Sequence, residues 1–217
     1  MRSGVQVEQV QVGASAMPGE LDIPADAAAL VMFVHGSGSS RFSVRNRWVA
    51  EVLQQHRLAT LLFDLLSDEE GADRRKVFDI ELLAERVEEA LDWSGRRADV
   101  ADRPVGLFGA STGAAAALAA AAQWPGRVGA VVSRGGRPDL AAESLPHVIA
   151  PTLLVVGGAD REVLELNRSA LRQLGCSKRL EVVPDATHLF EEPGALDSVA
   201  ELAAAWFERH LVARRHV

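Results

Sequence analysis

The chain has 217 residues, 48% of them apolar and 24% charged, which is the composition of a globular domain with a sizeable core. Its 30 acidic residues outnumber the 23 lysines and arginines and give a net charge of −7, so nucleic acid and anionic membranes are not expected partners. Cys176 is the single cysteine, which excludes an internal disulfide. The sequence shows no apolar leader and no run apolar enough to cross a bilayer. We therefore expect one cytoplasmic domain spanning residues 1–217.

The first predicted element is a strand over residues 5–12. Four valines alternate with polar residues there, which is typical of a strand with one face in the core. The alternation changes phase at Glu8 and Gln9, so we expect a β-bulge at that point. A short strand over residues 20–23 follows, and the two strands are expected to pair antiparallel at an edge of a sheet.

Six short apolar runs follow, and amphipathic segments separate them. Runs of this kind are typical of parallel strands buried on both faces, and they lie at 29–34, 59–64, 104–108, 128–132, 152–156 and 179–183. Helices are predicted at 48–58, 80–93, 113–124, 163–174 and 196–211. The alternation indicates the α/β class: a doubly wound, mostly parallel sheet flanked by helices, with ligands beyond the carboxyl ends of its strands. Residues 67–76 are expected to form a charged surface loop.

The sharpest functional signal is the segment Gly109-Ala-Ser-Thr-Gly113, directly after the third apolar run and directly before an alanine-rich helix. This is the G-x-S-x-G pattern in a strand–turn–helix setting. The turn is so tight that the residues two before and two after the serine must be small. It places the hydroxyl of Ser111 above the sheet, where the hydroxyl can act as a nucleophile. An ordinary glycine-rich turn can give the same pattern. The motif therefore indicates a nucleophile only if a base and an orienting acid are found elsewhere in the chain.

A nucleophilic serine needs a base, and the base needs a carboxylate to orient it. Asp160 follows the fifth apolar run, and His188 follows the sixth. The chain order Ser111, Asp160, His188 is the order found in α/β-hydrolases. Glu162, two residues after Asp160, is the alternative acid, because sequence does not give loop geometry.

The glycine-rich stretch 35–40 follows the first apolar run and can direct main-chain amides at a developing oxyanion. One donor is expected to be the amide of Thr112, just after the serine. The other is expected to be the amide of Ser37, with that of Gly38 as the alternative. His35 is expected to fix this loop rather than to transfer protons.

Candidate substrate-binding residues leave the sheet at the same edge: Gly36, Gly38, Arg41 and Arg134. Guanidinium groups match carboxylates with paired donors and keep their charge at neutral pH. The two arginines would therefore favour an anionic substrate. The structural alternative is that Arg134 pairs with Asp139 or Asp160 while Arg41 lies in solvent.

The segment from His35 to Phe190, with its His-Gly loop, serine elbow, acid and histidine in order, resembles a minimal α/β-hydrolase of the dienelactone hydrolase-like group. The resemblance covers nearly the whole chain. Lid domains of such hydrolases are inserted after the strand that here ends at Ser133, yet residues 134–151 leave room for only one short helix. True dienelactone hydrolases use a cysteine where this chain has Ser111. The resemblance therefore implies an uncapped serine hydrolase of small soluble carboxylic esters, thioesters or lactones, rather than of dienelactone.

Two other classes of function stay open. A dinucleotide-binding fold would use Gly36 and Gly38 with Asp64 as the ribose-binding acid, but the third glycine of that motif is replaced by Arg41. A non-catalytic protein of the same fold that binds a small ligand is the other possibility, since fold does not imply function. We expect no cofactor and no metal, and the oligomeric state does not follow from the sequence.

Overall fold

The structure is a computed structural model, and it describes residues 4–213. An eight-stranded sheet runs through its centre in the order β1-β2-β4-β3-β5-β6-β7-β8. The strands are β1 (Val5–Val12), β2 (Met17–Pro24), β3 (Ala29–Val34), β4 (Leu58–Phe63), β5 (Val105–Ala110), β6 (Ala130–Arg134), β7 (Thr152–Gly157) and β8 (Lys178–Val183). β2 is antiparallel to β1 and β4, and the other neighbours are parallel. The α/β class and the mostly parallel sheet are confirmed, and the bounds of the six parallel strands differ from the predicted ones by at most two residues.

The predicted bulge in β1 is wrong. The ladder between β1 and β2 runs without interruption from the pair Val5–Pro24 to the pair Val12–Met17. Val10 and Val12 face the core, whereas Val7 lies on the opposite face and is 55% exposed. The change of phase in the sequence therefore reflects valines on both faces of a regular edge strand, where one face is open to water.

Residues 4–213 contain seven α-helices: α1 (Val44–Gln55), α2 (Asp68–Ala72), α3 (Arg74–Val77), α4 (Ile80–Gly95), α5 (Thr112–Gln123), α6 (Arg161–Gln173) and α7 (Ala195–Phe207). All but α2 and α3 pack on the two faces of the sheet. A π-helical turn, Glu208–Val212, extends α7. α1 begins four residues before the predicted start because Ser43 caps it, its hydroxyl accepting a hydrogen bond from the amide of Asn46.

The prediction that residues 67–76 form a loop is wrong in part, because this segment contains α2 and most of α3. Ser67 forms a capping box with Glu70 at the start of α2, and the Asp73 side chain accepts from the Arg75 amide at the start of α3. Neither helix buries a residue. Their formation therefore depends on end capping, which a search for apolar periodicity does not detect.

Two cores lie on opposite sides of the sheet. α1 and α7 cover one face, against Phe33, Phe108 and Val132. α4, α5 and α6 cover the other face, and every residue of α5 from Thr112 to Ala121 is buried. Two 3₁₀ turns, Pro138–Ala141 and Leu145–His147, replace the single short helix expected after β6. No helix in the described part of the chain is long and apolar enough to cross a membrane.

The aromatic pair Phe33–Phe108 supports the carboxyl ends of β3 and β5. The two residues are partners in the β-ladder, their ring centroids lie 4.9 Å apart, and both side chains are buried. β3 leads into the loop 35–43 and β5 into Ser111. The pair therefore fixes two segments of the predicted site relative to each other.

We expect Phe108→Ala to lower the free energy of unfolding by about 3–5 kcal/mol, since a buried aromatic ring is replaced by a cavity. Urea denaturation followed by circular dichroism measures the change. Val44→Ala is the matched control: Val44 is 83% exposed and its truncation should change stability by less than about 0.5 kcal/mol. A loss of less than about 1 kcal/mol in Phe108→Ala would contradict the supporting role of the pair.

Candidate active site

Ser111 occupies a strained backbone position between β5 and α5. Its φ is 52° and its ψ is −122°, a conformation that non-glycine residues rarely adopt. Three backbone hydrogen bonds hold it. Its amide donates to the carbonyl of Arg134 at 3.2 Å, and its carbonyl accepts from the amides of Ala114 and Arg137 at 3.1 and 3.0 Å. This is the sharp turn that the G-x-S-x-G pattern predicts.

Small residues around the turn allow this geometry. A Cβ atom at Gly113 would lie 2.1 Å from the carbonyl oxygen of Val34, so α5 can approach β3 only with glycine at this position. The helix then continues through Ala114–Ala117, all fully buried. A helix that starts inside the turn must lie close against the sheet, and alanine permits that distance.

His188 and Asp160 come together although 28 residues separate them. Nδ1 of His188 lies 2.7 Å from Oδ2 of Asp160. The contact forms because β7 and β8 are parallel neighbours, so the loops after them leave the sheet side by side. Asp160, rather than Glu162, holds the imidazole in this structure. The Asp160 side chain is 15% exposed and that of His188 is 39% exposed, so part of the ring remains accessible to solvent.

The imidazole lies near the serine turn without touching the hydroxyl. Gly135 follows Arg134, whose carbonyl accepts from the Ser111 amide. A Cβ atom at Gly135 would lie 3.6 Å from Cε1 of His188. Within residues 4–213, the Ser111 hydroxyl has no hydrogen bond to His188. Such contacts are often long before substrate binds and shorten in the complex.

Asn167 positions the loop that follows β6, a contribution that sequence reasoning missed. It is fully buried in α6, and its Nδ2 donates to the carbonyl of Gly136 at 2.9 Å. The same loop supplies the Arg137 amide that donates to Ser111. A polar residue at a core position of an amphipathic helix was the available signal, because buried amides are kept only where they are hydrogen bonded.

Three main-chain amides lie near the serine as candidate oxyanion donors. The Thr112 amide begins α5 and has no acceptor among the described residues, as is usual in the first turn of a helix. The Ser37 amide donates to the hydroxyl of Thr112 at 2.8 Å. The Gly38 amide has no acceptor within residues 4–213. A Cβ atom at Gly36 would lie 2.8 Å from the carbonyl oxygen of Ala110, so glycine lets this loop approach the turn.

His35 connects the loop 35–43 to the chain after β4. Its Nδ1 lies 3.1 Å from the carbonyl oxygen of Gly36, and its Nε2 accepts from the Leu65 amide at 3.1 Å. Burial lowers the pKa of His35, and the hydrogen bond to Gly36 and the charge of Asp64 offset only part of that effect. A neutral imidazole satisfied on both nitrogens fits a structural role.

The arginines near the site differ in how their charge is compensated. Arg41 does not lie in solvent as the structural alternative supposed: its guanidinium pairs with Asp64, and its amide donates to the same carboxylate at 2.7 Å. Arg137 forms a two-bond pair with Asp139 at 2.9 and 2.7 Å. Arg134 pairs with neither Asp139 nor Asp160, so that alternative is wrong as well. Its Nη2 donates to Oδ1 of Asn46 at 3.4 Å.

A cleft of about 270 Å³ lies beside the loop 35–43. Ser37, Gly38, Ser39 and Ser40 form one wall, and Leu65, Leu66, Val77 and Leu83 supply an apolar floor. Ser111 and His188 do not line the cleft, which meets the site through Gly36 and Ser37. Residues 4–213 contain no group of three His, Cys, Asp or Glu side chains placed to hold a metal ion.

The arrangement can support acyl transfer. A serine on a strained turn, an imidazole held by a carboxylate, and free amides at a helix N-terminus are the parts needed to form and stabilise a tetrahedral intermediate. The same parts were predicted from three separate strand ends, and the parallel sheet brings those ends to one edge.

Comparison with known proteins places the chain in a family. A solved structure described as dienelactone hydrolase from Anabaena variabilis is 56% identical, with a TM-score of 0.92 over 96% of this chain and 99% of that one. Est1E from Butyrivibrio proteoclasticus shares the fold at 15% identity, with a TM-score of 0.77 over 96% of this chain and 99% of that one.

Two curated relatives, from two strains of Mycobacterium tuberculosis, are each named "putative phosphoribosyl transferase" and are 58% identical over 94% of this chain. The chain spans about half of their length, 46%. The sequence profile of the dienelactone hydrolase family matches residues 66–212, more than half of the chain. The chain therefore belongs to the dienelactone hydrolase family, and its fold is the α/β fold of the solved structures it resembles.

Proposed function

We propose that this protein is a hydrolase that cleaves small carboxylic esters, thioesters or lactones through an acyl-enzyme on Ser111. The observation that carries the proposal is the strained turn of Ser111 at the sheet edge where Asp160 holds His188 at 2.7 Å. An imidazole that is oriented by a carboxylate and lies near a half-buried serine is the machinery of acyl transfer.

The chemistry follows from the contacts. With its proton on Nδ1, His188 donates to Asp160 and keeps the Nε2 lone pair for the serine proton. Ser111 Oγ attacks the acyl carbon while His188 takes that proton, and His188 then protonates the departing alcohol, thiol or ring oxygen. Water activated by the same imidazole hydrolyses the acyl-enzyme. Every proton is thus carried by one side chain, and no cofactor enters the proposal.

The oxyanion is bound in the proposal by the amides of Thr112 and Ser37. The Thr112 amide is already free, whereas the Ser37 amide donates to the Thr112 hydroxyl. An oxyanion is a stronger acceptor than a neutral hydroxyl, so it displaces the hydroxyl from the Ser37 amide as the intermediate forms. Until then the hydroxyl keeps the amide and its loop in place.

The substrate of the proposal is small and soluble. The cleft beside Ser37 has a volume of about 270 Å³, and the segment after β6 contains two short turns rather than a lid domain. The mycobacterial relatives carry a name for a different reaction, transfer of a phosphoribosyl group. The pairing of Asp160 with His188 beside a serine turn is the observation that favours acyl transfer for this chain.

Ser111→Ala and His188→Ala are each expected to lower kcat by roughly 10⁴- to 10⁶-fold, and Asp160→Asn somewhat less, because the nucleophile or its base is lost. Hydrolysis of p-nitrophenyl acetate and butyrate measures the effect, and intact mass spectrometry detects the acyl adduct on Ser111. Ser198→Ala, at a serine on α7 whose hydroxyl bonds only the Gly194 carbonyl, is the control and should keep native activity.

Near-native hydrolysis by a folded Ser111→Ala protein would refute the mechanism. A serine-directed fluorophosphonate probe separates the proposal from a non-catalytic binding protein. The probe should label the native protein and leave Ser111→Ala unlabelled. Absence of labelling in the native protein would favour the binding protein.

Thr112→Val is expected to keep kcat/KM within about tenfold of native, since both amide donors remain and the Ser37 amide is released from its hydroxyl acceptor. Steady-state kinetics with a p-nitrophenyl ester measures the ratio, and Thr112→Ser, which retains the hydroxyl, is the control. A fall of about 10²- to 10³-fold in Thr112→Val with recovery in Thr112→Ser is what loss of a true oxyanion donor produces. That result would assign the role to the hydroxyl instead of the Ser37 amide.

A further inference from the structure

The cleft beside the loop 35–43 lies on one side of the serine turn, and His188 lies on the other. The residues that line the cleft follow β3 and β4, or belong to α2, α3 and the start of α4. Ser111 follows β5, whereas Asp160 and His188 follow β7 and β8. In the sheet, β3 and β4 lie on one side of β5, and β6, β7 and β8 lie on the other. Ser111 therefore stands between the cleft and the imidazole.

The position of the cleft decides which part of an ester can enter it. In the proposed mechanism His188 protonates the departing oxygen, so the leaving group must lie within hydrogen-bond reach of the imidazole. The carbonyl oxygen lies at the amides of Thr112 and Ser37 in the same mechanism. Because Ser37 also lines the cleft, the cleft begins at the carbonyl group and leads away from His188. The acyl chain is therefore the part of the substrate that can occupy it.

The floor of the cleft is apolar, and its lining carries no positive charge. Leu65 and Leu83 are buried there, and Leu66 and Val77 are half-buried. No lysine or arginine among residues 4–213 lines the cleft, and the exposed Asp68 contributes a negative charge. A carboxylate on the acyl chain would lose water in the cleft without gaining a cation. Methylene groups, in contrast, are stabilised when they leave water for an apolar surface.

Charged contacts hold the wall of the cleft that α2 and α3 form. These two helices bury no residue of their own. Glu70 Oε2 accepts from the Ser67 amide at 3.1 Å, and Glu70 Oε1 accepts from Lys76 Nζ and from Arg86 Nη2 on α4, each at 3.2 Å. The wall is thus fixed without its side chains packing into the cleft, and the apolar floor stays open to a ligand.

We propose that this cleft is the acyl pocket and that it selects uncharged aliphatic acyl chains of about four to eight carbons. The inference rests on the proposed function and names the acyl part of its substrate. A volume of about 270 Å³ equals that of about nine water molecules at roughly 30 Å³ each, and a methylene group is similar in size to a water molecule. Each methylene group that enters the pocket should raise kcat/KM by up to about fourfold.

Two isomeric esters test the assignment, because ethyl hexanoate carries its long chain in the acyl part and hexyl acetate carries it in the alcohol. A pH-stat that titrates the released acid measures kcat/KM for both. Val77→Phe narrows the pocket and should lower kcat/KM for ethyl hexanoate at least about tenfold, while that for hexyl acetate changes by less than about threefold. Val7→Phe, on the edge strand β1 at a residue that is 55% exposed, is the matched control and should leave both values native.

A second variant decides if Val77→Phe does not fold. Gly71 lines the cleft and is exposed, and a Cβ atom added there would meet no atom within 4 Å, so Gly71→Leu should fold and act in the same direction. An unchanged ratio of the two kcat/KM values in the folded variants overturns the inference. A fall confined to hexyl acetate would assign the cleft to the leaving group instead.

The charge of the acyl chain is tested with monoethyl adipate, which places a carboxylate at the end of a chain like that of ethyl hexanoate. We expect the native protein to prefer ethyl hexanoate at least about tenfold in kcat/KM, because the pocket offers the carboxylate no cation. Equal values, or a preference for monoethyl adipate, would contradict an uncharged acyl chain.

A binding measurement separates this inference from the proposed function. In Ser111→Ala, which cannot form an acyl-enzyme, saturation-transfer NMR detects contact between the protein and the terminal methyl of the hexanoyl chain of ethyl hexanoate. The transfer should be strong, should fall when Val77→Phe is added, and should be unchanged by Val7→Phe. Equal transfer with and without Val77→Phe overturns the inference. If the native protein hydrolyses no ester, the proposed function fails, and the NMR measurement still decides what the cleft binds.

Discussion

The turn at Ser111 holds a non-glycine residue at φ 52° and ψ −122°, and the elements around it keep it there. Strain of this kind costs roughly 1–3 kcal/mol. Three backbone hydrogen bonds to Ser111, each contributing about 0.5–1.5 kcal/mol, offset a cost of that size. They also fix the relative positions of β5, α5 and the loop after β6. The loop 35–43 depends on the same turn, because it packs on Ala110 through Gly36.

Much of the fold and of the candidate site could be predicted from the sequence, because the hydrophobic pattern of the chain agrees with the topology of the sheet. Continuous apolar runs between helices indicate parallel strands, and parallel strands bring their carboxyl ends to one edge. Asp160 and His188 follow two such strands, so chain order predicted that their loops lie at one edge, whereas the structure selects Asp160 over Glu162. The two predictions that failed, the bulge in β1 and the loop over residues 67–76, concern segments where hydrophobic periodicity carries no information. The valines of β1 occupy both faces of an edge strand, and α2 and α3 depend on the caps Ser67 and Asp73.

Other features of the site depend on neighbours that no local pattern specifies. The hydrogen bond from the Ser37 amide to the Thr112 hydroxyl joins the loop 35–43 to the start of α5, 75 residues further along the chain. The choice of partners among the arginines is of the same kind: Arg41 pairs with Asp64 across a strand end and Arg137 pairs with the nearby Asp139, whereas Arg134 has no acid within ion-pair distance among residues 4–213. Sequence places all three arginines at the same edge and cannot say which one keeps its charge uncompensated.

Two energetically unfavourable features, the strained backbone of Ser111 and the buried charge of Arg134, lie side by side at the ends of the adjacent strands β5 and β6. The hydrogen bond between the Ser111 amide and the Arg134 carbonyl joins the two residues. They differ in what can compensate them. The strain at Ser111 is a backbone property, and backbone hydrogen bonds within the protein compensate it. The charge of Arg134 is a side-chain property, and no acid among residues 4–213 lies within ion-pair distance of it. Folded proteins depart from ordinary backbone conformations and from the pairing of buried charges mainly at functional sites. The strained turn therefore marks Ser111 Oγ as the reacting atom of the proposed function.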